Sequence, residues 1–157
     1  MDWRIEKRDA FEVVVKAKQV KMEDGKPNPI PVFWGEFFSA GLHRTITPAL
    51  GVCGEVHSGT EEFPYGIGDF RKERQEVPAG FEVWKAPACE WAVFKCVGPM
   101  PDAIVDMWEK IHGEWTPNAE WEHERGIIDF ELYLDGDTSS ADYVSEIWLP
   151  VKKRMMK

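Results

Sequence analysis

The amino-acid sequence predicts an α+β fold: a duplicated β-β-α-β-β repeat forming two lobes of antiparallel sheet with two helices and a ligand cleft between the halves. Three observations predict it. Eight segments carry strand-type apolar patterning, two carry helical apolar spacing, and the order of elements is the same in each half of the 157 residues.

The first half opens with WRIEK (3–7) and AFEVVVKA (10–17), whose β-branched residues suit strands. A helix starting near Pro31 carries Phe33, Trp34, Phe37, Phe38 and Leu42 on one apolar face. ALGVCGEVH (49–57) and YGIGDFRKE (65–73) follow as strands. The glycines of GIGDF (66–70) mark a kinked strand whose missing side chains leave room for a ligand. The second half repeats the order with GFEVWKA (80–86) and CEWAVFKCV (89–97), then a helix from near Pro101 carrying Ile104, Met107, Trp108, Ile111 and Trp115. IIDFELYL (127–134) and YVSEIWLPV (143–151) close it. Each helix has proline near its first turn, where the missing N–H costs no intrahelical bond.

Laid over one another, WRIEKRDAFEV (3–13) falls on FEVWKAPACEW (81–91), Trp34 on Trp108, Tyr65 on Tyr143 and Phe70 on Trp148. Residues 1–157 therefore read as one domain, with one repeat over about 1–76 and the other over about 77–157. Their lobes are expected to meet on a pseudo-two-fold axis, with a ligand cleft at the junction.

A formal net charge of −9 repels phosphate backbones and excludes direct nucleic-acid binding; it favours cationic ligands instead. Eight Trp and nine Phe exceed what packing needs, so some are expected to line a surface or cavity that binds something. No apolar run is long enough to span a bilayer, and MDWRIEKRDAFEVVV has no signal core, which points to a cytoplasmic protein without a membrane partner. Cys53, Cys89 and Cys96 form no CxxC pair and read as buried reduced thiols. The four histidines show no HxxxH or HExxH spacing, so no metal is expected, and no phosphate-cradling or dinucleotide motif implies a cofactor. NAEWEHERG (118–126) reads as a solvated loop, and Cys53 with His57 is a nucleophile–base pair by proximity alone.

Glu146 is the odd residue, a carboxylate among Val144, Ile147, Trp148, Leu149 and Val151. Side chains alternate across a strand, so Val144, Glu146 and Trp148 share one face and Ile147, Leu149 and Val151 the other. In the preceding strand Asp129, Glu131 and Tyr133 share a face, opposite Phe130 and Leu132. If DGDTSSAD turns a hairpin, Glu131, Tyr133, Glu146 and Trp148 sit side by side. That patch is either a plain solvent face or a pocket for an organic cation, in which ring faces and carboxylates both attract positive charge.

The phrases WEKIHGEWTPNAEWE, DFELYL and EIWLPVKK, with FPYGIGDF in the first half, together resemble the gyrase-inhibitor-like (GyrI-like) effector-binding domains over essentially the whole chain. The resemblance implies the duplicated fold with a small-molecule pocket between its halves, and acidic residues on the last strands that hold lipophilic cations among aromatics. Carried over, Glu146 and Trp148 match the terminal motif, Glu131 and Tyr133 the ExY motif, and Trp108 and Trp115 the helix aromatics. Phe70 and Trp34 join this candidate ligand-binding set through the overlay on Trp148 and Trp108. The family also includes modules of transcription regulators, gyrase-binding proteins and hydrolases of cyclopropane-containing toxins. The resemblance therefore implies a stand-alone, integron-cassette-like binder of lipophilic cations, with a separate regulator or gyrase as alternative partner. It also allows a hydrolase in which Glu146 and Tyr133 activate water. Glu146→Gln is expected to weaken a cation by roughly 1–3 kcal/mol.

Overall fold

The computed structural model describes residues 1–23, 25–54 and 62–155. The element order is β1 Trp3–Arg8, β2 Phe11–Lys21, α1 Pro29–Ser39, β3 Leu50–Cys53, β4 Glu62–Phe70, β5 Glu82–Ala86, β6 Cys89–Val97, α2 Asp102–Lys110, α3 Thr116–Asn118, β7 Trp121–His123, β8 Asp129–Tyr133 and β9 Val144–Lys153. A 3-10 turn, Leu42–Arg44, follows α1, and a π-helical turn, Ile111–Trp115, joins α2 to α3. The pairs β1–β6, β2–β4, β2–β5, β3–β4, β6–β9, β7–β9 and β8–β9 are all antiparallel and the principal helices are two, so the chain is α+β.

The chain folds into two compact units. The first comprises Met1–Asp9, Ala88–Arg125 and Asp129–Lys157; the second comprises Ala10–Pro87 and Gly126–Ile128. In the first unit the strand order is β1-β6-β9, with β8 and β7 both pairing along β9. In the second it is β3-β4-β2-β5. The first strand of each half therefore pairs in the other half's sheet. The two exchanges share one register: Lys7 opposes Glu90 as Lys85 opposes Glu12, and Glu6 opposes Trp91 as Trp84 opposes Val13.

Each unit packs a helix on one sheet face. In the first unit Ile104, Met107, Ile111 and Trp115 cover Ala92, Phe94, Cys96, Ile147, Leu149 and Val151. In the second, Phe33 and Phe37 pack with Val14, Val20, Tyr65 and Ile67. Asn28 caps α1, its Oδ1 accepting from Ile30 N at 2.9 Å. Asp102 in the first turn of α2 and Lys110 in its last complement the helix dipole. The helix read through Trp115 stops being α-helical at Lys110, because the π turn inserts a wider loop there. That turn swings Trp115 inward, edge-on to Trp3 at 5.3 Å and to Phe94 at 5.1 Å.

Several expectations need correction. NAEWEHERG is not all loop: Trp121–His123 pairs with β9, Trp121 opposite Lys153. Only Cys96 of the three thiols is buried, while Cys53 and Cys89 are half-buried. Much of the aromatic surplus is packing, with Trp91, Phe94, Phe130 and Phe37 among the largest fully buried side chains. The space beside GIGDF is occupied. A Cβ on Gly66 would meet Val15 and Trp84, and one on Gly68 would run into the Val14 carbonyl oxygen. His57 and the other residues of the expected strand beyond 54 lie outside the described residues. Among the described residues no helix is long and apolar enough to cross a membrane.

Candidate functional site

The DGDTSSAD connection does form a hairpin. Asp137 Oδ1 accepts from the backbone N (2.9 Å) and Oγ (2.6 Å) of Ser139, and the Tyr143 hydroxyl donates to Leu134 O at 2.7 Å. Its register sets what the site can be. Phe130 opposes Trp148, Glu131 opposes Ile147, Leu132 opposes Glu146 and Tyr133 opposes Ser145. Opposed residues of an antiparallel pair share a face. Glu131 and Tyr133 thus lie on the helix-covered face with Ile147, whereas Glu146 and Trp148 lie on the other face with Phe130 and Leu132. The four residues do not form one patch, and Glu146 with Tyr133 cannot act together on one water. Parity within each strand was right. The parity between strands depends on the loop that joins them, and a one-residue slip exchanges the faces.

The Glu146 face is satisfied from within. Arg4 Nη2 lies 3.2 Å from Glu146 Oε2, and Trp148 Nε1 donates to Glu146 Oε1 at 3.1 Å. The Trp148 ring stacks on Phe130 at 5.4 Å and carries the Arg8 guanidinium 5.6 Å from its centroid. This face supplies its own cations. Glu146→Gln should therefore cost well under about 1 kcal/mol of stability, since Arg4 is about half exposed and solvent screens the pair. Its affinity for an organic cation should be unchanged within about twofold, as checked by thermal unfolding and calorimetric titration; a tenfold loss would return Glu146 to the site.

The Glu131 face is different. Trp108, from the outer part of α2, donates Nε1–H to Glu131 Oε2 at 2.8 Å, and the Tyr133 hydroxyl donates to Oε1 at 2.5 Å. Trp108 is itself backed by His112, one turn on, stacked at 5.6 Å and 17°. Trp108 and Tyr133 both border the apolar cluster beneath α2. Among the described residues no basic side chain pairs with Glu131. Burial pushes the Glu131 carboxyl above the usual range, and the Tyr133 and Trp108 hydrogen bonds only partly offset it. The result is a carboxyl group with two neutral donors, flanked by two rings, with no counter-ion among the described residues.

The sign of the consequence follows. A raised carboxyl pKa means that the folded chain binds the proton more tightly than the unfolded one, so this group's contribution to stability falls as pH rises through the raised value. A cation needs the ionised form. Cation affinity should therefore weaken as pH drops through a value above the usual 4.5, and a Glu131→Gln variant should show a flat profile between about pH 8 and 5. Titration at four pH values checks this; parallel profiles would contradict it.

Trp115 belongs to the core at 5% exposure, packed on Trp3 and Phe94, not beside Glu131. Trp34 and Phe70 are in the second unit. Trp34 Nε1 donates to the Tyr65 hydroxyl at 2.9 Å, and Phe70 packs edge-on to Phe11 at 5.7 Å. Two surface concavities, of about 360 and 290 Å³, are lined by Lys7–Asp9 with Ala88–Glu90 and by Met1, Trp3, Glu114, Trp115, Asn118 and Ala119. Neither includes Glu131. His112 escaped sequence reasoning, though its i, i+4 spacing from Trp108 is the available signal.

The fold, antiparallel sheet with two principal helices, places the chain in a class of α+β domains, and comparison with known proteins gives the family. The GyrI-like small molecule binding domain model matches residues 1–152, and the chain belongs to that family. SAV2435, solved bound to tetraphenylphosphonium, superposes with a TM-score of 0.83 at 22% identity, over 97% of this chain and 94% of that one. An integron cassette protein from the mobile metagenome of Vibrio cholerae gives 0.70 at 18% identity, over 96% and 95%. EcmrR, in its complex with DNA, gives 0.66 at 13% identity, over 98% of this chain and 58% of that one. At these identities the likeness is one of fold. No curated protein matches the chain.

Proposed function

We propose that the protein binds lipophilic organic cations, with Glu131 supplying the charge and Trp108 and Tyr133 the aromatic walls. One observation carries the reading: the Glu131 carboxylate sits against an apolar cluster with both oxygens held by neutral donors and no basic partner among the described residues. An unpaired carboxylate in such a place is costly, and a monovalent cation removes the cost on arrival. Ring faces add roughly 0.5–2 kcal/mol each to the attraction. The net charge of −9 favours the same ligands at long range. That a protein of the same fold was solved with tetraphenylphosphonium supports the ligand class.

The proposed site holds the charge in a place where water is scarce, so the ligand must bring apolar surface as well as charge. Ammonium or a small inorganic cation gains too little from the rings to replace its own hydration. Titration of the intrinsic Trp fluorescence with tetraphenylphosphonium, a rhodamine-type dye, tetramethylammonium and the neutral triphenylphosphine oxide tests this. Saturable quenching by the first two alone is expected; equal binding of the neutral compound would remove the role of charge. The ligand should be recovered unchanged after incubation, since binding here needs no bond to break. Turnover would favour the hydrolase reading, with Glu131 as base.

A further inference from the structure

We infer that the second unit contains the same niche in a self-filled, uncharged form, closed by the Tyr65 side chain, so that each chain takes one cation. The inference rests on the cation site proposed at Glu131. It starts from register. Ile147 and Ile67 are both fully buried beneath a helix, and they oppose Glu131 and Gly51 respectively. Position by position, β8–β9 and β3–β4 then correspond: Glu131 to Gly51, Tyr133 to Cys53, Ser145 to Tyr65 and Trp148 to Gly68. This shifts the overlay read from sequence by two residues in the last strand, a change that keeps every side chain on its face.

The correspondence exposes an exchange of volume. The first unit sets a large residue on β8 diagonally across from a small one on β9, Glu131 and Ser145. The second sets a small residue on β3 diagonally across from a large one on β4, Gly51 and Tyr65. In both units a tryptophan of the covering helix donates its indole N–H into the niche. Trp108 Nε1 reaches Glu131 at 2.8 Å, and Trp34 Nε1 reaches the Tyr65 hydroxyl at 2.9 Å. A Cβ built on Gly51 would run into the Tyr65 hydroxyl and lie 3.3 Å from Trp34 Cζ2. The phenol therefore occupies the space into which a side chain at position 51 would grow, and it satisfies the indole without a charge. Tyr65 is 2% exposed, so no ligand displaces it cheaply.

Two measurements test the inference, and they separate its failure from that of the cation reading. Calorimetric titration with tetraphenylphosphonium should give one cation per chain, weakened about 10- to 150-fold in Glu131→Gln. A stoichiometry of two, or a site whose affinity is unchanged in Glu131→Gln, would overturn it. If the native chain binds no cation, the cation reading fails and with it the count of one. The filling of the niche is then decided by thermal unfolding of a cycle of Gly51→Ala and Tyr65→Phe. Gly51→Ala should lower the melting temperature clearly in the native background and much less in Tyr65→Phe, where the hydroxyl it meets is gone. Equal losses in both backgrounds would show that Tyr65 does not fill the niche.

Discussion

Replacing Glu131 by glutamine should weaken tetraphenylphosphonium binding about 10- to 150-fold while leaving triphenylphosphine oxide within about twofold. The range follows from the roughly 1.5–3 kcal/mol that interactions with a charged group contribute when they are largely dry. Glutamine keeps the shape: its single amide oxygen can still accept from Trp108 Nε1–H, and its amide N–H can donate to the Tyr133 hydroxyl, so the loss reports charge rather than a collapsed wall. The variant should fold at least as well as the native chain at neutral pH, since burial of the ionised carboxylate opposes folding. Calorimetric titration and thermal unfolding of the same sample check both halves. Equal loss for the cation and the neutral compound would make Glu131 a structural residue.

The second large effect is on stability. Gly68→Ala should destabilise the protein by about 3 kcal/mol or more, at the upper end of what overpacking costs. In β4, Gly68 opposes Val15 and Leu50, and a Cβ there would run into the carbonyl oxygen of Val14. Backbone cannot rotate away as a side chain can, so β2 and β4 would have to separate. A fall in melting temperature of about 6 °C or more is expected for a chain of this size. A change under about 2 °C would show that the strands accommodate the methyl.

That position also shows what was legible. Two glycines in GIGDF announced that something approaches the strand closely, but a neighbouring backbone and a vacant ligand space leave the same mark in sequence. The order of elements and the faces of individual strands could be read from periodicity, because alternation is a local property. Glu131 and Tyr133 could be placed on one strand face for that reason, whereas Trp108 was named as a site residue only through the family resemblance. The separation of Glu131 and Tyr133 from Glu146 and Trp148 was not legible, since it depends on whether Glu131 opposes Ile147 or a neighbour of Ile147, and the ten residues between Tyr133 and Val144 do not fix that. The partner of Glu146 was not legible either. Arg4, 142 positions away, meets it only because β1 pairs with β6 and not with β2. The exchange of first strands between sheets leaves no trace in hydrophobic patterning.

The central claim is that a cation sits beside Glu131. The most direct measurement is a structure of the protein with tetraphenylphosphonium bound. We expect the phosphonium within about 6 Å of the Trp108 and Tyr133 rings, facing the Glu131 carboxylate, with the Arg4–Glu146 pair intact. A cation found against Glu146 and Trp148, with Arg4 displaced, would contradict the assignment.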